Sequence, residues 1–288
     1  MTRVMLVAGG DDVANFAQEV ARQATLWRRA GVAATEIACY WARPTPEALR
    51  DDRRQYRRLG DAMASCAEAS AARVLADIEA SADLAPTYFY LYVSAHGVQN
   101  LGGGLQRWSL PPDERAFLAQ PALALDADPR VRIGDAAGLL AARASGEPPS
   151  DRIALTPTSL AAALARFPAS THKIVVLQGC FSGGFLTGPG RLTAVPNTTV
   201  LTAAAADRPS FGCGSGAKET FWGGALRRTL ARAAHGGHAP DAVDWHAIHV
   251  EVKRRVRALE RALGQRPSHP QYRTSSAPRE ATAHRDAP

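Results

Sequence analysis

Four short stretches of the chain, Arg3–Ala8, Tyr88–Ser94, Lys173–Gln178 and Thr198–Ala203, centre on continuous apolar runs rather than alternating. That is the pattern of strands buried on both faces of a parallel sheet. Thr35–Tyr40 is a weaker fifth. Between them lie helical patterns: Val13–Ala30 sets Phe16, Val20 and Trp27 on one face, and Ala62–Ala80, Ser159–Phe167 and Thr220–Ala233 are rich in helix formers. His246–Leu263 spaces Ile248, Val252, Val256, Leu259 and Leu263 three and four residues apart. Its opposite face, with Lys253, Arg254, Arg255, Arg257 and Arg261, is expected to be solvated. Strand and helix alternate, which predicts an α/β fold, a mostly parallel sheet with helices on both faces.

Two segments break this rhythm. Gln99–Asp151 is loaded with Gly, Pro, Asp and Arg, and loops of such length are either functional or disordered. It is expected to be an insertion: a lid, a cleavable segment, or an inert surface loop. From Gly264 onward Pro, Ser, Arg and Ala dominate, which predicts a disordered tail over 264–288 and a single domain over 1–263.

Composition narrows the function classes. The chain has 288 residues, 46% hydrophobic and 21% charged, so it is neither a disordered chain nor a fibre. Its net charge of +7 is carried almost entirely by arginines scattered from Arg3 to Arg285 among acids. That distribution argues against nucleic acid as a partner. Cys39, Cys66, Cys180 and Cys213 contain no C-x-x-C pair and are too sparse for a disulfide scaffold, so they are expected to be reduced thiols. The apolar run Val4–Ala8 is too short for a signal peptide, and no run approaches a membrane span. The expected location is cytoplasmic, away from membranes.

Two strand ends carry candidate chemistry. Ser94-Ala95-His96-Gly97 ends one strand, and Gln178-Gly179-Cys180-Phe181-Ser182-Gly183-Gly184 ends the next. Ligands of open α/β sheets bind at that edge, and neighbouring strands lie only about 4.8 Å apart, so an imidazole and a thiol could face one substrate. His96 would activate Cys180 and protonate a leaving amine, and the backbone N–H groups of Gly97 and Cys180 could cradle an oxyanion. Taken singly, a buried cysteine is more often a small hydrophobe and a histidine before glycine a loop residue. It is their joint placement that points to catalysis. Elsewhere the signals are weak. His235, His238, His246 and His249 have i, i+3 spacings but no thiolate or carboxylate partner, so no metal is expected. Gly9-Gly10-Asp11-Asp12 and Gly102-Gly103-Gly104 do not form a nucleotide fingerprint, and Gly179–Gly183 does not read G-x-S-x-G. No cofactor is expected.

The blocks Phe89–Gly97, Val175–Phe185 and Thr202–Cys213, continued by Thr220-Phe221-Trp222-Gly223 and preceded by Val7–Asp11 with Asn15-Phe16, together resemble the bacterial branch of the legumain-type cysteine peptidases. The resemblance implies a caspase-like α/β/α sandwich with a His96/Cys180 dyad, Gly97 and Cys180 as the oxyanion hole, and a protein or peptide substrate. It puts Asp11 where the family has the asparagine that orients the histidine, and Ser210 on the wall of the specificity pocket. Ala17, Gln18, Gln178 and Gly224 stand where that pocket's charged and polar residues would be. Gln178, Asp207, Arg208 and Ser210 are therefore the candidate substrate-binding residues: an inward Asp207, the preferred reading, would favour a basic side chain before the scissile bond, an inward Arg208 an acidic one, and with both outward Gln178 and Ser210 would favour Asn or Gln. In caspases the histidine precedes the cysteine by about 50 residues, and here 84 separate them. Three other functions share these features: a transamidase using the same dyad, a non-catalytic caspase-like binding module, and a basic nucleic-acid-binding protein.

Overall fold

The computed structural model describes residues 1–101, 112, 115–116, 119–125, 154–214, 216–233 and 242–275. Ten strands form among them: β1 (Thr2–Ala8), β2 (Ile37–Trp41), β3 (Ala67–Glu68), β4 (Tyr88–Ser94), β5 (Gly97–Val98), β6 (Ala122–Ala124), β7 (Ala154–Leu155), β8 (His172–Gln178), β9 (Thr198–Thr202) and β10 (Gln271–Thr274). Seven build one sheet in the order β10-β9-β8-β4-β1-β2-β3. All its pairings are parallel except β9 with the edge strand β10.

Period-two alternation sorts the strand side chains into two cores. Val4, Leu6, Tyr88, Tyr90, Tyr92, Ile174 and Val176 face one side, where α1 (Asn15–Arg29), α5 (Phe221–Ala233) and α6 (Trp245–Ala262) supply Phe16, Trp27, Trp222 and Trp245. Met5, Val7, Phe89, Leu91, Val93, Val175 and Leu177 face the other, covered by α3 (Ala71–Asp83) and α4 (Pro157–Leu164). The architecture is an α/β/α sandwich, a mostly parallel sheet with helices on both faces. The solvated face expected of α6 is present, and there Glu251 pairs with Arg254 and Arg255.

The structure departs from the sequence expectations in three places. Ala62–Ala80 is not one helix: α2 (Arg53–Ala62), capped by the Asp52 carboxylate, precedes it, and α3 starts only at Ala71 on the Ser70 cap. Between them Cys66 is bonded to Cys39. These two cysteines are therefore not reduced thiols; strand adjacency brings them together although no local spacing announces it. Stable disulfides belong to oxidising compartments, which counts against the cytoplasmic expectation. No helix among the described residues is long and apolar enough to cross a membrane. Finally, 264–275 is ordered. Glu260, buried on α6, accepts the Ser268 N–H (2.9 Å), and the chain then returns along β9 as β10. The composition of β10 misleads because an exposed edge strand is held by backbone pairing rather than by apolar burial. The remainder of the tail lies outside the described residues.

The insertion is also more than a loop. Its described part includes β6, which joins β5 and β7 in a three-stranded antiparallel sheet and buries Leu123 in the second core. Residues 126–153 lie outside the described residues.

Two outcomes are expected. Titration of the native protein with a thiol reagent should find Cys180 and Cys213 but not Cys39 or Cys66, and a Cys39→Ser/Cys66→Ser variant should lose about 3 kcal/mol of stability, as expected for a loop of 27 residues. Burial pushes His249, packed against Tyr272 of β10, down to about 4, with Lys253, His246 and Arg273 adding to the effect. The unfolded chain binds the proton more readily, so this part of the stability is complete above pH 6.5 and is lost as pH falls towards 4. Denaturation midpoints measured from pH 7 down to 4 should fall, and His249→Phe should flatten the decline.

Candidate functional site

Pairing of β4 with β8 in the register Ser94↔Gln178 puts the next residues of both strands side by side. The Ala95 N–H donates to the Gln178 carbonyl (3.0 Å), extending the ladder one residue beyond the strand. His96 and Cys180 follow at equivalent positions. Contact is so close that a Cβ on Gly97 would lie 1.8 Å from the Cys180 carbonyl oxygen. Only glycine fits there, and the backbones of the two candidate oxyanion-hole residues meet.

After Cys180 the chain turns sharply. Phe181 adopts a left-handed conformation (φ 58°) and donates its N–H to the Arg208 carbonyl (2.8 Å), and a short 3-10 helix begins at Ser182. A non-glycine residue in that region is held by its surroundings; here the turn leaves the thiol half-exposed at the sheet edge. Ser210 closes on it from the loop after β9. Its N–H donates to the Cys180 sulfur (3.3 Å) and the thiol faces its carbonyl (3.5 Å). Ser210 thus touches the candidate nucleophile itself rather than only a pocket wall.

Asp12, not Asp11, holds the histidine. Its carboxylate oxygens lie 2.9 and 3.1 Å from His96 Nε2, and Phe16 abuts the imidazole edge-on, with ring centroids 5.0 Å apart. A carboxylate on Nε2 selects the tautomer with the proton there and leaves the Nδ1 lone pair for a thiol proton. Asp11 points away: its carbonyl accepts the Thr45 N–H (2.9 Å), and the residue lines a cavity of about 680 Å³ with Trp41, Arg43 and Tyr56. Gly10, at φ 82°, reverses the chain just before the two acids, and sequence cannot say which of them then faces back.

Gln178 is buried at the end of β8, on the α1 side, with its Oε1 unpartnered. Asp207, 65% exposed, pairs with Arg208 at 3.4 Å, and the Arg208 side chain is 22% exposed. An inward Asp207 carboxylate is therefore not what the fold builds, and the reason for expecting a basic side chain before the scissile bond falls with it. Arg208 contributes its carbonyl to the turn after Cys180. Ala17 is buried in the core, Gln18 opens on a separate cavity, and Gly224 backs onto Glu219.

One residue of the site was missed. Glu19, 3% exposed, accepts from Tyr92 Oη (2.8 Å), Ser94 Oγ (2.7 Å), the Thr220 N–H (2.6 Å) and Thr220 Oγ1 (2.8 Å). Burial raises its pKa against these bonds. It ties α1 to the end of β4 and the start of α5. The sequence held a signal: an acid on the buried stripe of α1, between Phe16 and Val20, needs partners.

Residues 146–276 match the Peptidase C13 family, a span that contains Cys180 and Ser210. That span, less than half of the chain, is what is similar to the Peptidase C13 family. His96 and Asp12 precede the matched span, and the pairing of β4 with β8 sets His96 at the position equivalent to Cys180. A protein from Geobacter sulfurreducens of known structure shares the fold, at 12% identity over 97% of this chain and 95% of that one, with a TM-score of 0.54. Caspase-1 from Spodoptera frugiperda aligns over 95% of this chain and 85% of its own at 12% identity and a TM-score of 0.45. No curated protein matches the chain. The family match over residues 146–276 supports a cysteine peptidase in general terms.

Among the described residues no group of three or more His, Cys, Asp and Glu could hold a metal ion; His246 and His249 pack on Tyr272 instead, and His235 and His238 lie outside the described residues. The Asp12 contact has a direct check. Alkylation of Cys180 by iodoacetamide at neutral pH should slow roughly 10- to 100-fold in Asp12→Ala and stay near the wild-type rate in Asp11→Ala.

Proposed function

We propose that the chain is a cysteine endopeptidase working through Cys180 and His96. His96 Nδ1 takes the thiol proton as Cys180 sulfur attacks the carbonyl carbon of a peptide bond. The N–H groups of Gly97 and Cys180 receive the oxyanion. The tetrahedral intermediate collapses with cleavage of the C–N bond, and the imidazolium gives its proton to the departing amine. Water, deprotonated by the same nitrogen, then attacks the thioester and the thiolate leaves. Asp12 keeps the imidazole in the required tautomer throughout. The single observation that carries this reading is the register of β4 with β8, which aligns His96 with Cys180 while Asp12 is bonded to the other ring nitrogen. A transamidase would share every step but the last acceptor, an amine in place of water.

Cys180→Ala and His96→Ala should each lower kcat/KM on a peptide mixture by about 10⁴-fold or more, with unchanged melting temperature, and the double variant should be no worse than either single one. Turnover persisting in Cys180→Ala refutes the assignment. Equal alkylation rates for Cys180 and Cys213, with no effect of His96→Ala, would favour a non-catalytic module.

A further inference from the structure

One cavity of about 600 Å³ lies between α1, α2 and the loop that precedes α5. Its floor is apolar, with Ala21, Leu59 and Ala62, and its rim carries Arg22, Arg54, Arg58 and Lys218. The one acid on the rim, Asp52, is committed elsewhere: it accepts from the N–H groups of Arg54 and Gln55 (3.0 Å each) and from Gln55 Nε2 (2.6 Å) as the cap of α2. Arg22 is committed too, to Glu219 (2.9 Å) and the Lys218 carbonyl (2.8 Å). Among the described residues Arg58 and Lys218 form no ion pair, and Arg54 meets only the Asp52 carboxylate, by coulombic attraction, so the rim holds four cations against one acid.

This placement is locally unfavourable. Arg54 and Arg58 stand one turn apart on the same face of α2, where like charges repel. The neighbouring cavity beside Asp11 is balanced by contrast: Arg43 lies over Trp41 and Tyr56, and Asp11, Asp61 and Glu68 share the lining with Arg57. Uncompensated cations around an apolar floor fit a ligand bearing carboxylates on a chain that has some apolar surface.

The cavity adjoins the site through two elements. On α1, Asn15 donates to the Gly212 carbonyl (2.9 Å) in the loop that carries Ser210, and Gln18, one turn on, enters the cavity. That same loop continues from Ser210 to Lys218. Helix α1, through Asn15 and Gln18, and the chain that carries Ser210 and Lys218 thus contribute both to the surroundings of Cys180 and to the cavity.

We propose that this basic cavity binds an acidic stretch, Asp and Glu side chains, of the substrate polypeptide a few residues from the scissile bond. This rests on the peptidase reading above, and the test separates the two. Cys180→Ala protein is titrated with a rhodamine-labelled peptide carrying a run of Asp and Glu, and with its Asn/Gln counterpart, followed by fluorescence anisotropy at about 50 and about 300 mM salt. The acidic peptide should bind about tenfold more tightly, lose that advantage at the higher salt, and lose it in Arg54→Gln/Arg58→Gln, whose side chains are exposed and whose fold is checked by melting. Lys218→Gln should lower it further. With the active protein, the acidic run should lower KM and leave kcat unchanged. Equal binding of the two peptides overturns the proposal while leaving the peptidase reading intact. Charge-dependent binding with no turnover supports the cavity and overturns the peptidase reading. Stronger binding of a short RNA of equal charge, dependent on the same arginines, assigns the cavity to nucleic acid and also overturns the proposal.

Discussion

The arrangement depends on the parallel register between β4 and β8. Because side chains alternate with a period of two, a slip by one residue would turn every side chain of one strand to the opposite core and take His96 and Cys180 out of equivalent positions. The register is guarded at both ends. Tyr88 opposes His172 with the rings edge to face, and at the other end Gly97 gives the Cys180 backbone room that no other residue would leave. The two buried cores and the candidate site are in this sense one constraint, since the packing that selects the register also selects the partners of the cysteine.

Glu19 extends that constraint outward from the sheet. A carboxylate taken out of water costs several kcal/mol unless its lone pairs are filled, and here Tyr92, Ser94 and Thr220 fill them from two other elements. The helix α5 starts at this anion, where its N-terminal amides favour negative charge. The site therefore rests on a polar junction that is satisfied internally, and the loop from Ser210 to Thr220 is anchored at its far end by it.

Much of this was legible in the sequence because burial on both faces writes a continuous apolar run. β1, β4, β8 and β9 were readable for that reason, and His96 and Cys180 because they terminate two of those runs. β3, β5, β6 and β7 are two or three residues long and write no period. β10 is polar because it lies on an edge. The Cys39–Cys66 bond and the Asp12–His96 contact are properties of adjacency in space, 27 and 84 residues apart in the chain, and no local pattern encodes either. Consecutive aspartates after a glycine differ only in which way the chain turns, so the exchange of Asp11 for Asp12 could be resolved only by the backbone.

The small sheet β5-β6-β7 has a topological consequence. Ala124 pairs with Ala154, so the residues that flank 126–153 lie side by side. A single backbone cut anywhere within that segment would yield two polypeptides, one ending in the β1–β4 half with His96 and Asp12, the other beginning before β8 with Cys180. Their shared sheet, joined by β4 with β8 and by β6 with β7, would keep the two pieces together as a non-covalent heterodimer with one composite site.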